Sequence, residues 1–274
     1  MTQLYNMRRW HVALGRSSPK LRVFAMVGIA VFISNGCGKA TSAPPLAPPT
    51  VSTADAVGRA DELYSGRADL VKVRRAIVTL RQAQATDSSN YDLAWRLAKF
   101  NYYLGSHTLD QAEQDKAFRD GIDAGKLAVE IQDGKADGHF WLGANYGGTA
   151  QISTLAGLAQ IEDIKHEMET VLKIDERYQG ASAYVVLGQV YQQSPRILGG
   201  DTQKAIEYFE KGLRIAADNA LLRAHLAEAY AEAHRKEDAR KQIDALLAMK
   251  PSSGYEPEYN DAVALVKKLQ EKVK

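Results

Sequence analysis

The chain has 274 residues, 45% of them apolar and 25% charged, which suffices for a substantial core and is ordinary for a globular protein. Lysine and arginine total 35 against 33 aspartates and glutamates, a net charge of +2 that excludes a polybasic or polyacidic chain. One cysteine, Cys37, excludes an internal disulfide.

The N-terminal segment reads as an export signal. Arg8, Arg9, Arg16, Lys20 and Arg22 are followed by the apolar run VFAMVGIAVFI at 23–33 and then by SNGCG, with no acidic residue among the first 36. Basic, apolar, then small is the layout of a secretory signal. The apolar run is shorter than the roughly 20 residues that cross a bilayer. An uncleaved anchor, extended through Leu21, remains a competing reading. Cleavage at residue 36 leaves 30 basic and 33 acidic residues, a net −3, so the basic balance belongs to the signal and gives no support for nucleic-acid binding.

ISNGC resembles a bacterial lipoprotein box, in which the cysteine becomes the lipidated N-terminus. Gly36 and Cys37 fit it, whereas Ser34 and Asn35 depart from it, and an ordinary signal peptide with an incidental Cys37 is the alternative. Gly38 and Lys39 follow rather than aspartate, which points to the outer membrane. Residues 38–52, GKATSAPPLAPPTVS, hold four prolines and no aromatic residue and read as an extended tether. The expected organisation is a signal peptide at 1–36, a lipidated Cys37 with its tether at 37–52, and one folded domain at 53–274.

Within that domain a 34-residue period emerges. Ala205, Phe209, Gly212 and Ala217 are answered by Ala239, Ile243, Leu246 and Pro251, and between them Leu226, Ala227 and Tyr230 mark a preceding helix. Residues 220–251 therefore form a helix pair. The small Ala227 and Ala239 let the backbones approach while Tyr230 and Ile243 fill the space beside them. Upstream, Tyr184, Leu187, Gly188 and Tyr191 match the W-x-x-L-G-x-x-Y first-helix pattern with tyrosine in the tryptophan slot. Their partner helix begins near Thr202. The connection QQSPRILGGD is longer than the standard turn and reads as an insertion.

An earlier copy shows Ala76, Leu80, Ala83 and Ser88, then Leu97 and Ala98. Another, HFWLGANYGG, places Leu142, Gly143 and Tyr146 in phase between helical stretches at 117–131 and 161–174. Loops are expected at 104–109 and in the glycine-rich region 146–157. The run 260–273, with lysines near its end, is expected to be a capping helix. The predicted fold is all-α, a tetratricopeptide-like α-solenoid of antiparallel helix pairs with a C-terminal capping helix.

The order of these elements resembles the TRAP transporter T-component family, periplasmic helical lipoproteins with concealed tetratricopeptide repeats. The resemblance is carried by GHFWLGANYGG at 138–148, ETVLKIDERYQGASAYVVLG at 169–188, SPRILGGDTQKAIEYFEKGL at 194–213 and EPEYNDAVALVKKL at 256–269, and extends over about residues 60–270. It implies an accessory component in the uptake of small organic acids, a periplasmic solute-binding protein as partner, a homotrimer, and a pocket near Trp141, Asn145, Gly147 and Gly148, with Pro195, Gly199 and Gly200 beside it.

The residues expected to meet a ligand or partner are Trp141, Asn145, Tyr146, Tyr184, Tyr191 and Arg196. Gly147, Gly148, Gly188, Pro195, Gly199 and Gly200 are expected to be structural. Asn145, on an otherwise apolar helix, must find partners, either by tying its helix to a Gly147 loop or by facing a ligand. Trp141 is read either as core or as groove lining. Arg196 could present its guanidinium fork to a carboxylate or simply face solvent. Asp201 is a fitting N-cap for the helix at Thr202.

No H-E-x-x-H is present among the six histidines, and no GxxxxGK[ST], so neither a metal, a cofactor nor a catalytic centre is expected. Two function classes follow: a periplasmic accessory component of an uptake system, and an interaction scaffold lipoprotein of envelope assembly.

Overall fold

The computed structural model describes residues 52–251 and 255–273. The signal segment, Cys37 and all but the last residue of the tether lie outside them. The described residues form eleven α-helices: α1 (Thr53–Ser65), α2 (Leu70–Gln84), α3 (Tyr91–His107), α4 (Gln111–Ile131), α5 (Ala136–Ile152), α6 (Thr154–Ile174), α7 (Tyr178–Gln193), α8 (Thr202–Ile215), α9 (Ala220–Glu232), α10 (Lys236–Leu247) and α11 (Glu256–Val273). A short 3₁₀ turn, Arg196–Leu198, lies between α7 and α8. Among the described residues there is no strand, and no helix is long and apolar enough to cross a membrane.

Side-chain caps fix where many helices start. Ser52, Asp69, Asn90, Asp110, Asp201 and Asn219 each accept a hydrogen bond from a first-turn backbone N–H. Each such cap stabilises its helix by about 1 kcal/mol. Asp201 thus caps α8 as its position before Thr202 predicts.

Consecutive helices pack antiparallel. The odd-numbered helices also pack on one another along the series, α1 on α3, α3 on α5, α5 on α7, α7 on α9 and α9 on α11, whereas among the described residues no two even-numbered helices bring their backbones together, and α2 and α4 meet through the side-chain ion pairs Arg74–Glu113 and Arg81–Asp120. Crowding on one side bends such a stack, so the odd helices form the inner face and the even helices the outer one.

The period of 34 has its cause in the packing. Ala205, Phe209 and Gly212 of α8 are buried, as are their counterparts Ala239, Ile243 and Leu246 of α10. Gly188 brings α7 against α8: a Cβ there would stand 2.2 Å from Phe209 Cε1. Two main cores result, beside a small cluster of Tyr91, Ala94 and Ala128. One gathers apolar side chains of α1 to α6 with Ala183 and Leu187 of α7, the other those of α7 to α11, and Leu172 and Tyr208 pack against both.

Two expected loops are largely helix instead, the first shrinking to the short turn after His107. α3 continues to His107, and α5 runs through Gly147 and Gly148 to Ile152, leaving only Ser153 before α6. The loop expected after Asn145 does not exist. Glycine normally costs a helix about 1 kcal/mol relative to alanine. Here that cost is offset because α5 is enclosed on nearly every side, with His139 through Tyr146 and Gly148 all buried. Bare Cα atoms let neighbours in: a Cβ on Gly143 would lie 2.5 Å from Met168 Cε, and one on Gly148 would lie 2.2 Å from Phe118 Cε1. Gly147 faces open space and makes no such approach.

The first turn of α7 is irregular. Gln179, Gly180 and Ala181 have φ of 48°, 64° and 62°, three successive left-handed residues where the two cores meet. Asn219 donates to the Gly180 carbonyl at 2.7 Å and holds this segment. The inserted connection after α7 also requires glycine. Gly199 has φ of 85°, and a Cβ on Gly200 would stand 1.8 Å from the Ser194 carbonyl oxygen.

The last helix returns to the first. Arg67, in the turn after α1, donates to both carboxylate oxygens of Glu258 in α11, at 3.0 and 2.8 Å, across 191 positions of sequence. His107 Nε2 and Asp261 lie 3.5 Å apart in the same seam. The ends of the solenoid are thereby joined by side chains.

Candidate functional site

The joined ends overlook a cluster of rings on α1, α3 and α5. Tyr64 stacks on Phe100 with ring centres 4.1 Å apart and meets Tyr103 edge-on at 5.6 Å. Trp141 lies 5.8 Å from Tyr102 and 4.9 Å from Phe140. These helices carry the rings at helical spacing, Trp95, Tyr102 and Tyr103 on α3 and Phe140 and Trp141 on α5, so antiparallel packing brings them to one face.

Cations enter this aromatic surface. The Arg67 guanidinium lies 5.4 Å from the Tyr64 ring centre and 5.7 Å from that of Tyr103. Lys99 Nζ lies 5.1 Å from Tyr64, 5.5 Å from Trp141 and 5.9 Å from Trp95. Such contacts draw the positive charge to the ring faces. Burial, and then the like charge of Arg67, hold the Lys99 ammonium below the usual lysine pKa, with Asp61 and Glu258 opposing. Burial pushes the Tyr103 hydroxyl up to about 12 and raises Tyr64 and Tyr102 as well. All three therefore remain neutral donors at physiological pH.

A polar frame supports α5. Asp137 accepts from the Tyr178 hydroxyl at 2.8 Å and from Tyr91 at 3.4 Å, while Gly138 N–H donates to Tyr91 at 3.2 Å. His139 is buried, with Nδ1 2.7 Å from Glu167 Oε2 and Nε2 2.7 Å from the Asp133 carbonyl. Both neighbours are acceptors. Led by the Glu167 hydrogen bond, and despite burial, they raise the pKa of the imidazole.

The structure divides the residues singled out from sequence. Trp141 joins the ring cluster, and Tyr146 lies in the same core. Asn145 is fully buried on α5 and donates to the carbonyls of Ala98 at 3.0 Å and Trp141 at 2.6 Å, a tie between α5 and α3. Tyr184 and Tyr191 belong to the other core. The Tyr184 hydroxyl donates to Glu176, and Tyr191 stacks on Tyr208 at 5.2 Å beneath Lys204 Nζ, 4.2 Å from its ring centre. Arg196 is exposed in the inserted turn, beside Pro195, with Ile197 91% exposed.

Sequence reasoning passed over Lys99, Tyr64, Trp95, Arg67 and Glu258. One signal was available: Lys99 is the only charged residue in the ten-residue stretch 97–106 of a helix otherwise rich in apolar side chains. Among the described residues no group of three or more His, Cys, Asp or Glu side chains could hold a metal ion.

A family model described as TRAP transporter T-component matches residues 59–272, the whole of the solenoid but its extreme ends. The chain belongs to that family. A T-component is an accessory part of a TRAP transporter, in a family and on a fold that are not catalytic. Among curated proteins none is significantly similar in sequence. In fold, this T-component is similar to a thermophilic TPR protein from Thermus thermophilus, with 18% identity, a TM-score of 0.57, and coverage of 78% of this chain and 100% of that one. It is also similar to PilF of Pseudomonas aeruginosa, with 18% identity, a TM-score of 0.51, and coverage of 80% and 92%. At such identity the likeness concerns the fold, which is that of a TPR-like all-α solenoid.

Proposed function

We propose that this T-component is an exported lipoprotein that works in the periplasm, attached to the outer membrane through Cys37, and that it serves an uptake system for small organic acids. The family match over residues 59–272 carries this reading. Residues 1–36 act as the signal peptide, and 37–52 as the lipidated tether that holds the folded domain off the membrane. In this reading the inner face, with Trp141 at its ring cluster, takes the acid. The inserted turn at Arg196 and the tyrosines Tyr184 and Tyr191 lie with the other core, where a periplasmic solute-binding protein docks. The T-component assembles as a homotrimer.

Native mass measurement of the purified protein, with the solute-binding protein of the same cell and with candidate acids, tests the reading. The expected species is a trimer that takes up receptor and acid. A monomer that ignores both overturns it. Labelling of cells with a fatty-acid analogue tests the anchor: label is expected on the parent chain and not on Cys37→Ser, and an unlabelled parent removes the lipoprotein claim.

A further inference from the structure

Lys99 stands on the inner face with three aromatic neighbours and no counter-ion. Its Nζ is within 6 Å of the ring centres of Tyr64, Trp95 and Trp141, drawn from α1, α3 and α5. Among the described residues no carboxylate lies at ion-pairing distance from it.

The acids that act on Lys99 are committed elsewhere. Asp61 receives Arg96 Nε on both oxygens at 3.0 Å, and Glu258 receives Arg67 at 3.0 and 2.8 Å. Asp92 also receives Arg96, at 2.8 Å, so Asp61, Asp92 and Glu258 are all engaged by Arg96 and Arg67, and none of them pairs directly with Lys99. A methionine would fill the space between the rings without the cost of desolvating a charge. A half-buried ammonium without an anion is therefore poorly explained by packing alone, and well explained by an anion that comes and goes. Lys99 is half-buried rather than fully enclosed.

We infer that Lys99 is the anion-binding group of the inner face, where its ammonium pairs with the carboxylate of a small monoanion whose apolar body lies against Tyr64, Trp95 and Trp141. Lysine suits this task because its compact ammonium approaches a carboxylate from many directions, and the surrounding rings exclude water and strengthen the pair. The inference rests on the function proposed above only in taking the inner face as the surface that a small acid meets.

Two of the chain's three tryptophans, Trp95 and Trp141, border Lys99, the third being Trp10. The full chain carrying Trp10→Phe therefore reports on this site by intrinsic fluorescence. Hexanoate, titrated at constant ionic strength, is expected to change the emission saturably, and hexanamide, its neutral counterpart, is not. Lys99→Arg is expected to retain binding. Lys99→Met is expected to weaken it by about tenfold or more, the size of a lost charge-assisted hydrogen bond. Its thermal midpoint is expected to be no lower than that of the parent.

Amine-reactive labelling of the unsubstituted chain gives a second measure that needs no folded variant. Hexanoate is expected to slow modification of Lys99 relative to the other lysines. If Lys99→Met binds hexanoate as tightly as the parent, or if hexanoate leaves Lys99 labelling unchanged, the inference is overturned while contact with the receptor is read separately. Equal binding of hexanamide and hexanoate overturns it as well.

Discussion

Asn145, near the middle of α5, donates its side-chain amide to the main-chain carbonyl of Ala98 on α3 at 3.0 Å. Its Oδ1 faces Gly121 of α4 so closely that a Cβ on that glycine would stand 2.1 Å away. One side chain thereby fixes the spacing of three helices. Asn145→Ala removes the hydrogen bond between α5 and α3 and leaves a small cavity, and is expected to cost about 1 to 3 kcal/mol in urea unfolding. Gly121→Ala is expected to destabilise by a similar amount. In the double variant the added methyl no longer meets the amide, so the two losses should fall short of their sum, and a double-mutant cycle measures the difference.

Gly188 and Phe209 form the corresponding close approach in the second core. Gly188→Ala forces the Phe209 ring from a site where it is fully buried and is expected to cost about 1 to 3 kcal/mol. Phe209→Leu in the Gly188→Ala background should recover part of that loss. Full additivity of the two substitutions in thermal unfolding would mean that ring and methyl do not compete.

His139 predicts a pH dependence. Its pKa is raised in the folded protein, first by Glu167. The contribution is therefore complete below the unfolded value of about 6.5 and disappears as pH rises through the folded value. Stability should decline over that window on the alkaline side, and His139→Gln should remove that part of the slope. Unfolding free energies measured from pH 5.5 to 8.5 give the comparison.

Gln179 holds a left-handed conformation, with its side chain hydrogen-bonded to Tyr178. Gln179→Gly relieves a strain of about 1 kcal/mol, less the entropy that glycine adds to the unfolded chain. A small rise in midpoint is expected, and a fall would indicate that the side chain packs usefully at the junction of the two cores.

Glu258→Ala is expected to lower stability by about 1 kcal/mol, a modest figure because the Glu258 side chain is 34% exposed and partly screened. The larger effect is expected in shape. Small-angle scattering should show a wider molecule, with a larger radius of gyration than the parent, and an unchanged profile would argue against closure by this pair.

The sequence made the solenoid legible wherever one residue serves both helix pattern and packing, as Gly188, Phe209 and Tyr230 do. It misled at Gly147 and Gly148, because glycine's low helix propensity suggests a loop until the enclosing helices are known. Lys99 was passed over for a related reason: a lone charge on a helix is usually solvated, and only the fold brings Tyr64 and Trp141 from other helices to surround it. Arg67 and Glu258 were beyond reach of any local pattern, since neither carries a sign of its partner 191 positions away.

That long-range pair alters the mechanics of the molecule. A stack of repeats with free ends is compliant: small rotations between neighbours add along its length, and it stretches and twists as a coil spring does. A clasp between the first turn and the last helix removes this softest mode. The bore of the coil is then set at one seam, where Arg67–Glu258 and His107–Asp261 together form a releasable catch.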